Sequence, residues 1–195
     1  MDATAQALRT LTAVLAALQI PYLIGGSVAS SARGVLRATM DVDLLVRLPA
    51  EDAPRLAGAL GSDWYADPDA MWQALVRGRP FNVIHKLTGD KFDFFPAVAE
   101  FHAEELKRAQ EMEIRLGDDT LRLPVASVED IILAKLQWYR AGGEVSERQW
   151  SDVQNLLTTN SALDWQYLAT WAERLGIQRL LARAAGQPES SEPAG

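Results

Sequence analysis

Apolar residues near the start of the chain recur with a helical period, at Leu8, Leu11, Leu15 and Leu18. This predicts a helix over Ala3 to Leu18, closed off by Pro21. Tyr22 to Ile24 is a short apolar run ending in Gly25-Gly26, and Ser27 to Ala32 is rich in small residues until Gly34. That pattern reads as strand, glycine turn, short helix. Val42 to Val46 is β-branched and leucine-rich and stops at Leu48-Pro49, as a strand inside a sheet does. Helices are expected over Glu51 to Leu60 and Pro68 to Arg77, the second capped by Asp67 with Pro68 at its first position.

Phe81 to His85 and Lys91 to Phe95 flank the turn Leu87-Thr88-Gly89-Asp90, which predicts an antiparallel hairpin. After a helix over Ala99 to Gln110, alternation in Glu111 to Leu116 and Leu121 to Leu123 predicts a second hairpin. From Ser127 onward the pattern is helical throughout. Ser127-x-x-Asp130 and Ser146-x-x-Gln149 look like helix starts, Asp164 opens a third helix, and Ile177 to Ala185 forms a fourth. The reading is an α+β chain: a mixed sheet flanked by helices over residues 1–125, then a helical bundle over residues 126–186. Residues 187–195, rich in Pro, Ser, Glu and Gly, are expected to be a disordered tail.

Composition narrows the chemistry. With 195 residues, 48% of them apolar, the chain can bury a core without staples, and it has no cysteine, so thiolate catalysis and sulfur-bound zinc are excluded. No apolar run approaches a membrane span, and the polar residues interrupting the N-terminal stretch argue against signal cleavage. A cytoplasmic protein is the default expectation. The net charge of -7 works against non-specific nucleic-acid coating, although Arg33, Arg37, Arg47, Arg77, Arg79, Lys86 and Lys91 lie close enough to form a local basic strip.

Asp41-Val42-Asp43 is the most informative triplet. In a strand, residues i and i+2 share a face, so both carboxylates project together while Val42 turns to the other side. Such a pair suits a solvated strand end or a bridging divalent cation. Upstream, Gly25-Gly26-Ser27 ends the preceding strand, where glycine lets a phosphate approach the backbone and a following helix presents free N–H groups. Paired carboxylates beside a phosphate cradle match the needs of a nucleoside triphosphate with magnesium. Asp93, between Phe92 and Phe94, offers a third carboxylate on the face opposite those aromatics, either solvated or converging on the first two. In the second case it is a candidate general base.

The series Ile24-Gly25-Gly26-Ser27, Asp41-Val42-Asp43 and a later Asp93 resembles the nucleotidyltransferase superfamily of the DNA polymerase β-like fold. Within it the chain looks most like the AbiEii-type proteins, which include toxins of toxin–antitoxin systems; some relatives add nucleotides to the acceptor ends of transfer RNA. The resemblance spans roughly Tyr22 to Leu157. It implies transfer of a nucleotide from a triphosphate to an acceptor hydroxyl, with pyrophosphate released. Asp41, Asp43 and Asp93 would hold Mg2+ (or Mn2+) and serve catalysis. Gly25, Gly26 and Ser27 would bind the nucleotide together with Lys135 and Asp152, which match a family lysine and a following aspartate. The helical region over 126–186 would complete the nucleotide cleft.

The acceptor implied is RNA, transfer RNA included, or a small molecule as in aminoglycoside nucleotidyltransferases. A cognate antitoxin is a further expected partner, and a degenerate regulatory member of the fold is the alternative to an enzyme. Lys135 also draws attention by itself, because it shares a helical stripe with Val128, Ile131, Ile132 and Tyr139, where an ammonium needs an anion or must snorkel to water. Asp152 could instead pair with Arg148 one turn earlier. His85 and His102 are read as core or surface residues, and Trp138, Trp150, Trp165 and Trp171 as interhelical packing, with a base-stacking platform as the lesser alternative.

Overall fold

The computed structural model describes residues 2–26, 29 and 41–186, with the Asp41 side chain not described. Helix α1 (Ala3–Ala17) is capped by the Asp2 carboxylate, which accepts from the Ala5 amide at 3.0 Å, and it buries Leu8, Leu11 and Leu15. Strands β1 (Tyr22–Ile24) and β2 (Asp41–Val46) pair antiparallel. A 3-10 turn at Ala50–Asp52 leads into α2 (Ala53–Leu60), so the helix expected from Glu51 starts two residues later, where Pro54 fits the first turn. Next come β3 (Trp64–Tyr65) and α3 (Pro68–Val76), with Asp67 capping α3 as expected.

The hairpin of β4 (Phe81–His85) and β5 (Lys91–Pro96) is antiparallel, as its turn residues imply. Helix α4 (Glu100–Arg108) ends before Gln110, which belongs to the second hairpin, β6 (Gln110–Leu116) with β7 (Asp119–Val125). The four remaining helices are α5 (Val128–Ala141), α6 (Glu147–Thr159), α7 (Trp165–Arg174) and α8 (Gln178–Ala184). Ser127, Ser146 and Asp164 cap α5, α6 and α7 with side chains that accept from the third amide on. Of the helix expected over Ser27 to Ala32 only Ala29 is among the described residues, helical and with its N–H donating to the Gly25 carbonyl at 3.1 Å, and the tail over 187–195 lies outside them.

All seven described strands form one mixed sheet in the order β3-β4-β5-β2-β1-β7-β6. The decisive pairing is β2 with β5, which is parallel and places Asp43 opposite Asp93. Val42, Leu44, Val46, Phe92 and Phe94 alternate to the other face and are buried with Leu8, Leu11 and Leu15 in the core. That burial fixes the strand register, because a slip of one residue would turn carboxylates into the core.

Candidate functional site

Beyond Ile24 the chain turns at Gly25, whose N–H donates to the Asp43 carbonyl at 2.9 Å and so extends the β1–β2 pairing by one step. Gly26 follows with φ of +58°, in the left-handed region. A Cβ at Gly26 would stand 1.7 Å from Asp43 Oδ2. Only glycine permits this backbone to fold over the carboxylate.

Asp43 and Asp93 are half-buried register partners on adjacent parallel strands, so they share one sheet face with their backbones about 5 Å apart. Asp41 occupies the next outward position of the same face of β2, opposite Lys91. Lys91 Nζ lies 2.8 Å from Asp93 Oδ2, an ammonium paired with that carboxylate. Among the described side chains no group of three acids or histidines is gathered as a metal cage. The donor chemistry nonetheless fits a hard divalent cation: two carboxylates side by side, with a cation already drawn to one of them.

On the helical side, Lys135 of α5 and Asp152 of α6 form an ion pair, Nζ to Oδ2 at 3.0 Å. Their side chains are only 13% and 5% exposed, so the lysine neither snorkels away nor leaves its anion in doubt. The pair faces the same cleft as Gly25, Gly26 and Asp43, a cavity of about 640 Å³ between the sheet and helices α4, α5 and α6. Of the site residues read from the sequence, Gly25, Gly26, Asp43, Lys135 and Asp152 therefore share one cleft. Asp93 stands beside it on the neighbouring strand, whereas Ser27 and the Asp41 side chain lie outside the described residues.

Three further lining residues escaped the sequence reading of function. Glu105 on α4 is buried, and burial, reinforced by the nearby Asp130 carboxylate, holds its carboxyl well above the usual range. His102, also on α4, is pushed below the ordinary imidazole range by burial; its Nδ1 accepts from the amides of Val98 and Ala99 at 3.2 and 3.3 Å. Trp138 is 54% exposed in the cleft wall, which corrects its assignment to interhelical packing. Trp171 is buried as expected, against Phe101.

A buried network fixes the helices that wall the cleft. Asp130, fully buried at the start of α5, accepts from Ser127 Oγ at 2.7 Å and from Tyr167 Oη at 2.6 Å. The Arg108 guanidinium lies 3.8 Å over the Tyr167 ring and donates to Glu129 at 3.2 Å, joining α4 to α5 and α7. Burial pushes the Asp130 carboxyl up despite these hydroxyl donors, and burial together with the Asp130 bond pushes the Tyr167 hydroxyl up.

No protein-family model matches the chain, and a search of curated proteins finds no match either. Among solved structures it is similar to an antigenic nucleotidyltransferase-like protein from Paracoccidioides brasiliensis, at 16% identity over 95% of this chain and 93% of that one, with a TM-score of 0.51. It is also similar to the antibiotic-resistance factor ANT(2'')-Ia in solution, at 22% identity over 94% of each chain and a TM-score of 0.46. A crystal structure of ANT(2'')-Ia with adenylyl-2''-tobramycin aligns at 19% identity, over 92% of this chain and 98% of that one, with a TM-score of 0.45. These identities speak to architecture: the α+β fold is nucleotidyltransferase-like. Among the described residues no helix is long and apolar enough to cross a membrane.

Proposed function

We propose that the protein is a metal-dependent nucleotidyltransferase, moving a nucleotide from a triphosphate to an acceptor hydroxyl. The observation that carries this reading is Asp43 beneath the Gly26 turn, on the cleft that Lys135 also lines, with Asp93 as its register partner on the neighbouring strand. Asp43 and Asp93, with Asp41, would hold Mg2+ (or Mn2+). When bound, the cation would supply charge neutralisation to the triphosphate and its departing pyrophosphate.

The chain's own groups account for the rest. Gly25 and Gly26 let the polyphosphate approach the backbone without a side chain in the way, and Ser27 would extend that cradle. Lys135, oriented by Asp152, supplies a fixed positive charge for the phosphates in a partly dehydrated wall, where it acts more strongly than in water. Asp93 would take the proton of the attacking hydroxyl as its oxygen bonds to the α-phosphorus and the bond to the β-phosphate oxygen breaks. Lys91, 2.8 Å from Asp93, holds that carboxylate in place.

AbiEii-type kinship, a transfer RNA acceptor and a cognate antitoxin rest on the motif resemblance alone, and a cytoplasmic setting is the default reading of the sequence. Incubating the protein with labelled triphosphates, Mg2+ and either total RNA or a panel of small hydroxyl compounds separates the acceptor classes. Label appears in one acceptor pool and disappears with Asp43→Ala. Absence of transfer and of metal-dependent triphosphate binding would leave only a binding module of the same fold.

A further inference from the structure

We infer that Trp138 is the stacking platform for the nucleotide base, a positioning residue that selects a planar ring more than any one base. The inference rests on the triphosphate occupying the cleft as proposed above. Ile131, Ala134, Lys135 and Trp138 line that cleft from α5, at i, i+3, i+4 and i+7. They form one stripe along the helix, with the indole one turn, about 4.5 Å of rise, beyond the lysine.

Phe95 fixes the indole from the sheet side. Their centroids are 5.9 Å apart with an interplanar angle of 71°, an edge arrangement that restrains the indole while leaving it 54% exposed. Phe95 follows Asp93 by two residues on the same face of β5, about 7 Å further along the strand. The cleft therefore runs from Asp43 and the glycine turn, past Lys135, to a restrained and half-open aromatic ring. Phosphates bound at the acidic end would carry their base toward that ring.

Trp72 and Trp165, the other markedly exposed indoles, do not line this cleft. Stacking uses the π face that every base has, so it tolerates different bases and favours larger rings.

The test compares Mg-ATP, Mg-GTP and Mg-CTP with Mg-tripolyphosphate, which has no base, by calorimetry on the full chain. Wild type binds the nucleotides more tightly than tripolyphosphate, with purines ahead of CTP. Trp138→Ala weakens nucleotide binding by about 5- to 100-fold and leaves tripolyphosphate unchanged, and Trp138→Phe restores most of the difference. In turnover the loss falls on the triphosphate KM more than on kcat. Equal wild-type affinity for ATP and tripolyphosphate overturns the stacking role but leaves the transferase reading standing. So does an unaltered ATP affinity in Trp138→Ala, or a parallel loss for both ligands. Wild type that binds neither ligand overturns both.

Discussion

Gly26 lies so close over Asp43 that a Cβ there would overlap the carboxylate, 1.7 Å from Oδ2 and 2.6 Å from Cγ. Gly26→Ala must therefore displace Asp43 or the turn, and it also places alanine at φ of +58°, at a cost of about 1–2 kcal/mol. The expected outcome is a folded protein whose kcat/KM drops about 100-fold, since a shift near 1 Å is enough for that. Circular dichroism and steady-state pyrophosphate release check the two halves. Full activity in this variant would show that the Asp43 position is not critical.

Removing Lys135 takes its 3.0 Å ion-pair partner from Asp152, which is 5% exposed at its side chain. Lys135→Met is expected to destabilise the fold by about 3 kcal/mol in urea denaturation. Lys135→Met combined with Asp152→Leu recovers most of that stability, because an apolar pair replaces an ion pair of similar volume. Triphosphate binding stays lost in both, which separates packing from phosphate recognition.

Glu105 supplies a pH signature. Its folded pKa is raised by burial and by Asp130, so between the ordinary carboxylate range and that raised value the folded state holds a proton that the unfolded chain has released. The contribution is thus fully present at low pH and is lost as pH rises, with a slope of up to about 1.4 kcal/mol per pH unit. Glu105→Gln is expected to remove this slope and to be more stable than wild type at neutral pH. Parallel urea curves from pH 4 to pH 8, in steps of about one unit, measure it. Parallel profiles for wild type and variant would contradict the assignment.

Tyr167→Phe deletes a 2.6 Å hydrogen bond to fully buried Asp130 and is expected to cost about 1–2 kcal/mol in thermal or urea unfolding. The ring remains beneath Arg108, so the contact between α4 and α7 persists. Triphosphate affinity should change little, since Tyr167 is not part of the cleft lining.

What the sequence disclosed and what it hid divide along the range of the interactions involved. Asp67, Ser127, Ser146 and Asp164 cap helices through amides two or three residues away, so local spacing was enough to find them. The β4–β5 hairpin was legible for the same reason. The pairing of β2 with β5 joins segments some fifty residues apart, and periodicity could only pose it as a condition. Trp64–Tyr65 is too short to show a period and becomes a strand because β4 lies alongside. Glu105 carried a signal that went unread: it lies one turn after buried Phe101, on the face of α4 that turns inward. Trp138 looked like packing because an indole at helical spacing usually is, and only the cleft shows it open.

The central claim is that Asp43 and Asp93 jointly hold a divalent cation at the glycine turn. Crystals grown with Mn2+ and a non-hydrolysable triphosphate test it most directly, by anomalous diffraction. The account predicts a manganese peak coordinated by both carboxylates, with the polyphosphate against Gly25 and Gly26. A peak bound elsewhere, or a triphosphate seated in the cleft with no metal at these two acids, would contradict it.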